Sequence, residues 1–326
     1  MARFDTLSSL LYRYRELGID TQIDYEKFYL YSIITHSTAI EGSTVTEMEN
    51  QLLFDEGISV NGKPIIEQMM NLDLKRAYEE SMRLAAKHVP FSLDMLKGLS
   101  AMVMRNTGSS YKTAMGEFSS ANGDLRLLNV SAGVGGKSYL GFQKVPAQLQ
   151  EFCEWLNAER QKQMSDIEWY RLSFEAHYRL VTIHPWADGN GRMARLVMNH
   201  LQFEYGLVPV KVLKEDKSAY INALIRTRES ENINVFIDFM VDEAIKTLSA
   251  EIDSYLESGG EGSKKKQKSR DRIVSILREH PDYSSTKLAK EIGISSKGIE
   301  KQLANLKSEG ILRREGPDKG GRWIVL

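Results

Sequence analysis

The stretch His184-Pro185-Trp186-Ala187-Asp188-Gly189-Asn190-Gly191-Arg192-Met193-Ala194-Arg195 gathers a base, a hard oxygen ligand, an anion-binding turn and two cations. His184 is the one base in the segment whose ordinary pKa lies near neutrality, so it can take the proton of an attacking hydroxyl. Gly189-Asn190-Gly191 suits a tight turn, because Gly and Asn tolerate positive φ. A glycine-rich turn that enters a helix offers bare N–H groups and a positive dipole end to an anion such as phosphate. Arg192 and Arg195, three residues apart, share a helix face and can clamp a polyphosphate through charge-assisted hydrogen bonds. Asp188 suits Mg²⁺ that bridges phosphate oxygens. Each feature alone is commonplace: an HP dipeptide, a GNG turn, two arginines on a solvated face. Together, at this spacing, they point to phosphate chemistry.

The segment must sit between two helices. Pro185 blocks continuation of the first and biases His184 away from helical geometry, and the second starts near Asn190 or Gly191. Helical periodicity dominates the chain up to residue 256, with helices predicted over 24–40, 66–88, 92–106, 144–159, 165–182, 190–205, 216–228 and 232–256. Between Gly108 and Val145 repeated glycines break the pattern, and short β-like pieces at Leu125–Val130 and Ser138–Phe142 predict a hairpin on a helical body. Ser258–Ser263 and the lysine-rich 264–268 predict a linker over 258–268. Beyond it, helices at Arg270–Glu279, Ser285–Ile292 and Ser295–Lys307 and a hairpin of Ile311–Arg314 with Arg322–Val325 predict a winged helix-turn-helix.

Charge divides the chain at the same place. Residues 264–326 hold 16 Lys and Arg against 8 Asp and Glu, a net of +8, whereas residues 1–263 carry −9, so the total of −1 hides two unlike parts. A basic C-terminal unit can meet DNA through Ser295, Ser296, Lys297, Glu300, Lys301 and Asn305 of its third helix and Arg313, Arg314, Lys319 and Arg322 of the wing. Winged helices also serve as protein-contact modules. The single cysteine, Cys153, excludes an intramolecular disulfide framework and a cysteine-rich zinc site, and reads as a packing residue. No run of about 18 apolar residues and no apolar leader is present, so no membrane partner and a cytoplasmic setting are expected. The other histidines show no metal-ligand spacing.

The residues from His184 to Arg195 resemble the signature of the Fic family: His, Pro or a small residue, Phe, any residue, Asp or Glu, Gly-Asn-Gly-Arg, two variable residues, and Arg. Trp186 stands where Phe is usual, and can anchor the loop with a larger ring. The resemblance extends over roughly residues 30–256. It implies a mainly α fold, with N-terminal helices over 1–110, a Fic helical core over 111–257 bearing a β-hairpin flap, and the winged helix at 269–326. It implies protein AMP transfer from ATP to a Ser, Thr or Tyr hydroxyl, with His184 as general base and Asp188 as Mg²⁺ ligand. Gly189, Asn190, Gly191 and Arg192 would cradle the α- and β-phosphates and Arg195 would hold the γ-phosphate, with Met193 and Ala194 beside them and Tyr220 and Asn222 near adenine. The flap at about 125–142 would lay a target protein beside the site by strand pairing.

Ser37-Thr38-Ala39-Ile40-Glu41-Gly42 resembles the family's inhibitory motif. Glu41 would pair with Arg195 and deny it to ATP, and Ser37 would hold the Glu41 side chain or cap the helix. Two other readings remain open on the sequence. The same site can remove AMP or transfer another nucleotide, or the chain is a DNA-binding regulator whose Fic core senses a nucleotide. A homodimer and self-modification belong to the same set of expectations.

Overall fold

A computed structural model describes residues 2–21, 23–25, 27–132, 136–257, 269–292, 299, 302–304, 306–307, 310–316 and 321–325. The linker 258–268, Ser295, Ser296, Lys297, Glu300, Lys301 and Asn305 of the recognition helix, and Lys319 of the wing lie outside the described residues. The chain divides into two units, Met1–Asp253 and Ser254–Leu326.

In the first unit, helix α7 (Asp166–Ile183) starts at a capping box formed by Ser165 and Glu168 and stops before Pro185. Helix α8 (Asn190–Glu204) follows, and these two helices form the most extensive pairing in the unit. Helix α8 is central. Met193, Ala194, Leu196, Val197, Met198 and Leu201 are buried, and so are Asn199, His200 and Gln202. Asn199 accepts from Tyr78 Oη at 2.7 Å and donates to the Val210 carbonyl at 2.9 Å. Around α8 stand α1 (Ala2–Glu16), α2 (Phe28–Ile40), α3 (Glu47–Asp55), α4 (Ile65–Ala85), α5 (Leu93–Val103), α6 (Val145–Glu159), α9 (Lys217–Ser230) and α10 (Asn234–Glu257). The predicted helices are present within a few residues of their ends. Helices α1 and α3 are additional.

The C-terminal end of α2 is fixed from below by a buried polar network. Asn71 of α4 accepts from Thr38 Oγ1 at 2.8 Å and from Asn50 Nδ2 of α3 at 2.9 Å, and donates to Ser43 Oγ at 3.1 Å. These bonds form together only in one arrangement of the three helices, so they hold the turn that carries Glu41.

The β structure departs from expectation. The regular hairpin of this unit pairs β1 (Ser110–Thr113) with β2 (Gly116–Ser119), upstream of the predicted flap. Segment 125–142 does fold back on itself, but through one isolated bridge, Ser131 with Ser138, and the neighbouring bonds Tyr139 N–H to Val130 O at 2.9 Å and Ala132 N–H to Lys137 O at 3.2 Å. Beyond this bridge the carbonyls of Leu128 and Leu140 accept from the Arg126 guanidinium, not from a backbone N–H of the opposite limb.

The second unit contains α11 (Ser269–Glu279), α12 (Ser285–Ile292), helical residues at 299, 302–304 and 306–307, and an antiparallel pair, β3 (Leu312–Glu315) with β4 (Arg322–Val325). Ile273, Leu277, Leu288, Ile299, Leu303, Leu306, Leu312 and Trp323 form its core. That is a winged helix. On its wing Arg313 and Arg322 both pair with Glu315, at 2.8 and 3.3 Å, and Arg314 lies over the Trp323 ring. Among the described residues, no helix is long and apolar enough to cross a membrane.

Candidate active site

The loop between α7 and α8 carries the chemistry, and its geometry follows from three residues. His184 ends α7 in the left-handed conformation (φ 52°, ψ 61°), and Pro185 after it prevents the helix from continuing. Trp186 is fully buried and donates its indole N–H to the Gly123 carbonyl at 3.1 Å, so the larger ring anchors the loop. Asn190 closes the loop by accepting from Trp186 N–H at 3.1 Å and donating to the Trp186 carbonyl at 2.9 Å. The Asn190 side chain is therefore committed to the loop, and its backbone remains for an anion.

Gly189 is the N-cap of α8. The first-turn N–H groups of Asn190, Gly191 and Arg192 have no partner inside the helix. Met193 N–H is already given to the Gly189 carbonyl at 2.9 Å, and the Met193 and Ala194 side chains are fully buried. These two residues build the core behind the cradle and do not reach into it, because they lie past the first turn and on its inner side. Asp188 accepts from Gly189 N–H at 2.6 Å and lies 3.7 Å from Arg192.

Arg192 and Arg195 are both buried, yet unlike. Arg192 has poor partners, the Val103 carbonyl at 3.5 Å and Met104 Sδ at 3.1 Å, and its Nε has none. Burial draws its pKa below the ordinary arginine value despite Glu41 and Asp188. A cation so placed is under-satisfied and suited to an incoming anion. Arg195 is fully engaged. Its Nε donates to Ser37 Oγ at 2.8 Å, and its Nη2 donates to the Ser37 carbonyl at 3.0 Å and to Glu41 Oε1 at 2.6 Å. Burial disfavours charge on both Arg195 and Glu41. Their mutual attraction more than reverses this, so Arg195 holds its proton more tightly than usual and Glu41 is more acidic than usual.

Ser37 therefore holds Arg195, not Glu41 as the sequence suggested. Its hydroxyl lies one helical turn before Glu41 and meets the guanidinium first. Glu41 follows the last turn of α2, and Gly42 turns the chain away at φ 107°. A β-carbon at Gly191 would stand 2.8 Å from Glu41 Oε1. The Glu41 carboxylate thus rests over the first turn of α8, at the place where that turn receives an anion.

Tyr220 is brought to the site, but as a support. It is buried, its hydroxyl is 3.0 Å from His177 Nε2 and 3.5 Å from Arg195 Nη1, and it does not line an open surface. Asn222, two residues along α9, is exposed, since residues two apart do not share a helix face. His177 is buried against Phe236, and burial pushes its pKa well down.

Three residues at the site carried no motif. Tyr139 stacks on the His184 imidazole with ring centroids 3.9 Å apart. Arg228 of α9 lies over Tyr139 and donates to the Lys137 and Ser138 carbonyls. Arg126 binds the His184 carbonyl. His184 Nδ1 lies 3.2 Å from the Val181 carbonyl, so Nδ1 carries the proton and Nε2 is left as acceptor. Burial lowers the His184 pKa most, the Val181 carbonyl opposes it, and Arg126 lowers it further, to about 4. The imidazole is consequently neutral at pH 7, the state a general base requires.

Residues 90–202 match the Fic/DOC family, with both the His184 loop and the α8 cradle inside the match. The chain carries a Fic/DOC domain. Residues 268–313 match a winged helix-turn-helix DNA-binding family. Over 217 residues, 66% of this chain, it is 31% identical to the protein adenylyltransferase Fic of Drosophila grimshawi and spans 41% of that protein. Against the protein of the same name from Drosophila mojavensis the figures are 32%, 66% and 40%. The chain thus spans about two-fifths of the length of these curated relatives. A Fic-domain signaling protein from Bacteroides thetaiotaomicron shares the fold, with a TM-score of 0.64 at 21% identity over 76% of this chain and 95% of that one. A Fic family protein from Desulfovibrio desulfuricans does so with a TM-score of 0.63 at 19% identity, over 100% of this chain and 95% of that one.

The His184 assignment in this Fic domain predicts a titration. An NMR titration of the imidazole, identified by its loss in His184→Ala, should show no protonation from pH 8 down to about 5 and a midpoint near about 4. A midpoint at the ordinary value of about 6.5 would contradict the buried, neutral base.

Proposed function

We propose that this site transfers AMP from ATP to a hydroxyl of a protein and that Glu41 restrains it. The observation that carries this is the neutral His184 beside an α8 N-terminus whose anion position is filled by Glu41 held on Arg195. Relatives at 31–32% identity bearing the name protein adenylyltransferase support the same chemistry.

In the reaction, His184 Nε2 takes the proton of the attacking hydroxyl, the new O–P bond forms at the α-phosphorus, and the bond from that phosphorus to the leaving pyrophosphate breaks. The first-turn N–H groups of α8 and Arg192 receive charge on the α- and β-phosphates, which is electrostatic stabilisation by groups already in place. Arg195, when free of Glu41, receives the γ-phosphate. With Arg195 taken, the triphosphate lies in a pose in which the α-phosphorus does not face the hydroxyl. Asp188 fits a Mg²⁺ ligand: its side chain is 58% exposed beside the phosphate position. Among the described residues no group of three or more His, Cys, Asp and Glu could hold a metal by itself. That matches Mg²⁺, which is commonly held by one or two carboxylates together with substrate phosphates. When bound, it would neutralise phosphate charge. The 125–142 segment, whose bridge at Ser131 and Ser138 stands beside His184-stacked Tyr139, would receive the target chain.

Glu41→Gly should raise transfer. The Glu41 side chain is 31% exposed, so the pair is only partly desolvated. If it opposes productive ATP binding by about 1–3 kcal/mol, the gain is about 5- to 150-fold. Labelling of the chain itself or of a lysate with α-labelled ATP reads it. Adding Arg195→Ala should remove the gain, and adding His184→Ala should lower transfer about 10²–10⁴-fold while ATP still binds. A folded, ATP-binding Glu41→Gly protein that labels no better than wild type would overturn the restraint. Loss of AMP removal from a modified substrate in that variant would instead make Glu41 catalytic.

The winged-helix unit would place this activity on DNA through its basic surface, the 264–326 segment carrying a net +8. The full chain should bind duplex DNA with an affinity that falls steeply with salt, as counterion release requires, and a chain ending at Glu257 should not. No binding by the full chain at low salt would leave the unit a protein-contact role.

A further inference from the structure

Arg126 is a buried arginine without a carboxylate partner. Its side chain and backbone donate four hydrogen bonds, all to peptide carbonyls. Its Nε donates to the His184 carbonyl at 2.7 Å and its backbone N–H to the Pro185 carbonyl at 3.0 Å. Its Nη1 donates to the Leu128 carbonyl at 2.7 Å, and its Nη2 donates to the Leu140 carbonyl. The residue is 1% exposed. A guanidinium buried on carbonyls alone is costly, and a well-packed apolar residue would do better for stability. What the arginine adds is geometry, since its planar fork reaches three separate carbonyls at once. One of these belongs to His184, a non-glycine residue held at φ 52°. Such a conformation persists only where its surroundings over-determine it. The other two belong to the two limbs of the segment that folds back at the Ser131–Ser138 bridge. Tyr139, adjacent to Leu140, stacks on the His184 ring. The base is therefore gripped on its carbonyl side by Arg126 and on its ring face by a residue that Arg126 helps to place.

We propose that Arg126 is a positioning residue that locks His184 in its left-handed conformation and ties it to both limbs of the 128–140 segment, so that base and segment act as one body. In the transfer reaction this rests on the reading given above. Arg126 touches neither nucleotide nor hydroxyl; it sets where Nε2 stands when the hydroxyl arrives.

The test uses the full chain in the Glu41→Gly background, with α-labelled ATP and self-labelling as the readout. Arg126→Met should lower the labelling rate at saturating ATP about 10²-fold, the scale of a misplacement of about 1 Å, while the ATP concentration for half-saturation stays unchanged. A role confined to general stability would not produce that split. Arg126→Lys, which keeps the charge but reaches fewer carbonyls, should recover part of the rate. Hydrogen exchange reads the same tie without any reaction: Arg126→Met should exchange faster over 127–142 and 183–186, with α2 and α4 at parent rates. Should Arg126→Met fail to fold, Arg126→Lys decides by the same two measurements. Labelling at the parent rate, or unchanged exchange in both segments, overturns the proposal. An unlabelled parent with altered exchange in the variant would defeat the transfer reading and leave the tie standing.

Discussion

Arg195 is the point on which the site turns. It is a buried cation, 3% exposed, and unlike Arg126 it is paired with a carboxylate. In this structure Glu41 supplies the anion, and Ser37 adds two neutral acceptors, its hydroxyl and its carbonyl. Removing one member of a buried pair is usually costly because it leaves the other uncompensated. Here a second anion can take the vacated place, since Glu41 rests over the first turn of α8, where a phosphate would be held. On the proposed function the pair is one half of an exchange of anions on one guanidinium, for which nucleotide and carboxylate would compete. Behind Arg195 stands Tyr220, its hydroxyl 3.5 Å from Arg195 Nη1 and 3.0 Å from His177 Nε2.

The surrounding fold serves to hold that competition at fixed distance. The Asn71 network sets the end of α2 against α3 and α4, so Glu41 arrives from one side. Trp186 and Asn190 lock the loop from the other, and Gly191 leaves room for the carboxylate to come close. His184 is kept neutral by burial and presented by Arg126, outside the contest for Arg195. On the proposed function, base and nucleotide grip are built from separate residues, so restraint would act on the grip and leave the base intact.

What the sequence made legible was contiguous. The loop and the cradle lie within residues 184–195, where type and spacing alone specify a turn, a helix start and an anion site. The pairing of Glu41 with Arg195 was legible through family resemblance, but the role of Ser37 was not, because which side chain the hydroxyl meets is set by the packing of α2 on α8. Arg126 and Arg228 act on residues far along the chain and follow no motif. The flap was expected as a hairpin, but it folds back through the Ser131–Ser138 bridge, and Arg126 takes the Leu128 and Leu140 carbonyls, which no sequence pattern announced. Tyr220 was placed near adenine by analogy of region, whereas burial places it behind Arg195. Helices α1 and α3 left signals that went unread: Leu7, Leu11 and Tyr14 at helical spacing, and the capping box of Thr46 and Glu49.

The most direct test of the exchange is a structure of the ATP complex in two forms of the chain. With Glu41 present, Arg195 should remain on the carboxylate and the γ-phosphate should lie away from it. With Glu41→Gly, Arg195 should bond the γ-phosphate at the ordinary distance of about 2.7–2.9 Å. A wild-type complex in which Arg195 already holds the γ-phosphate, with Glu41 displaced, would contradict the account.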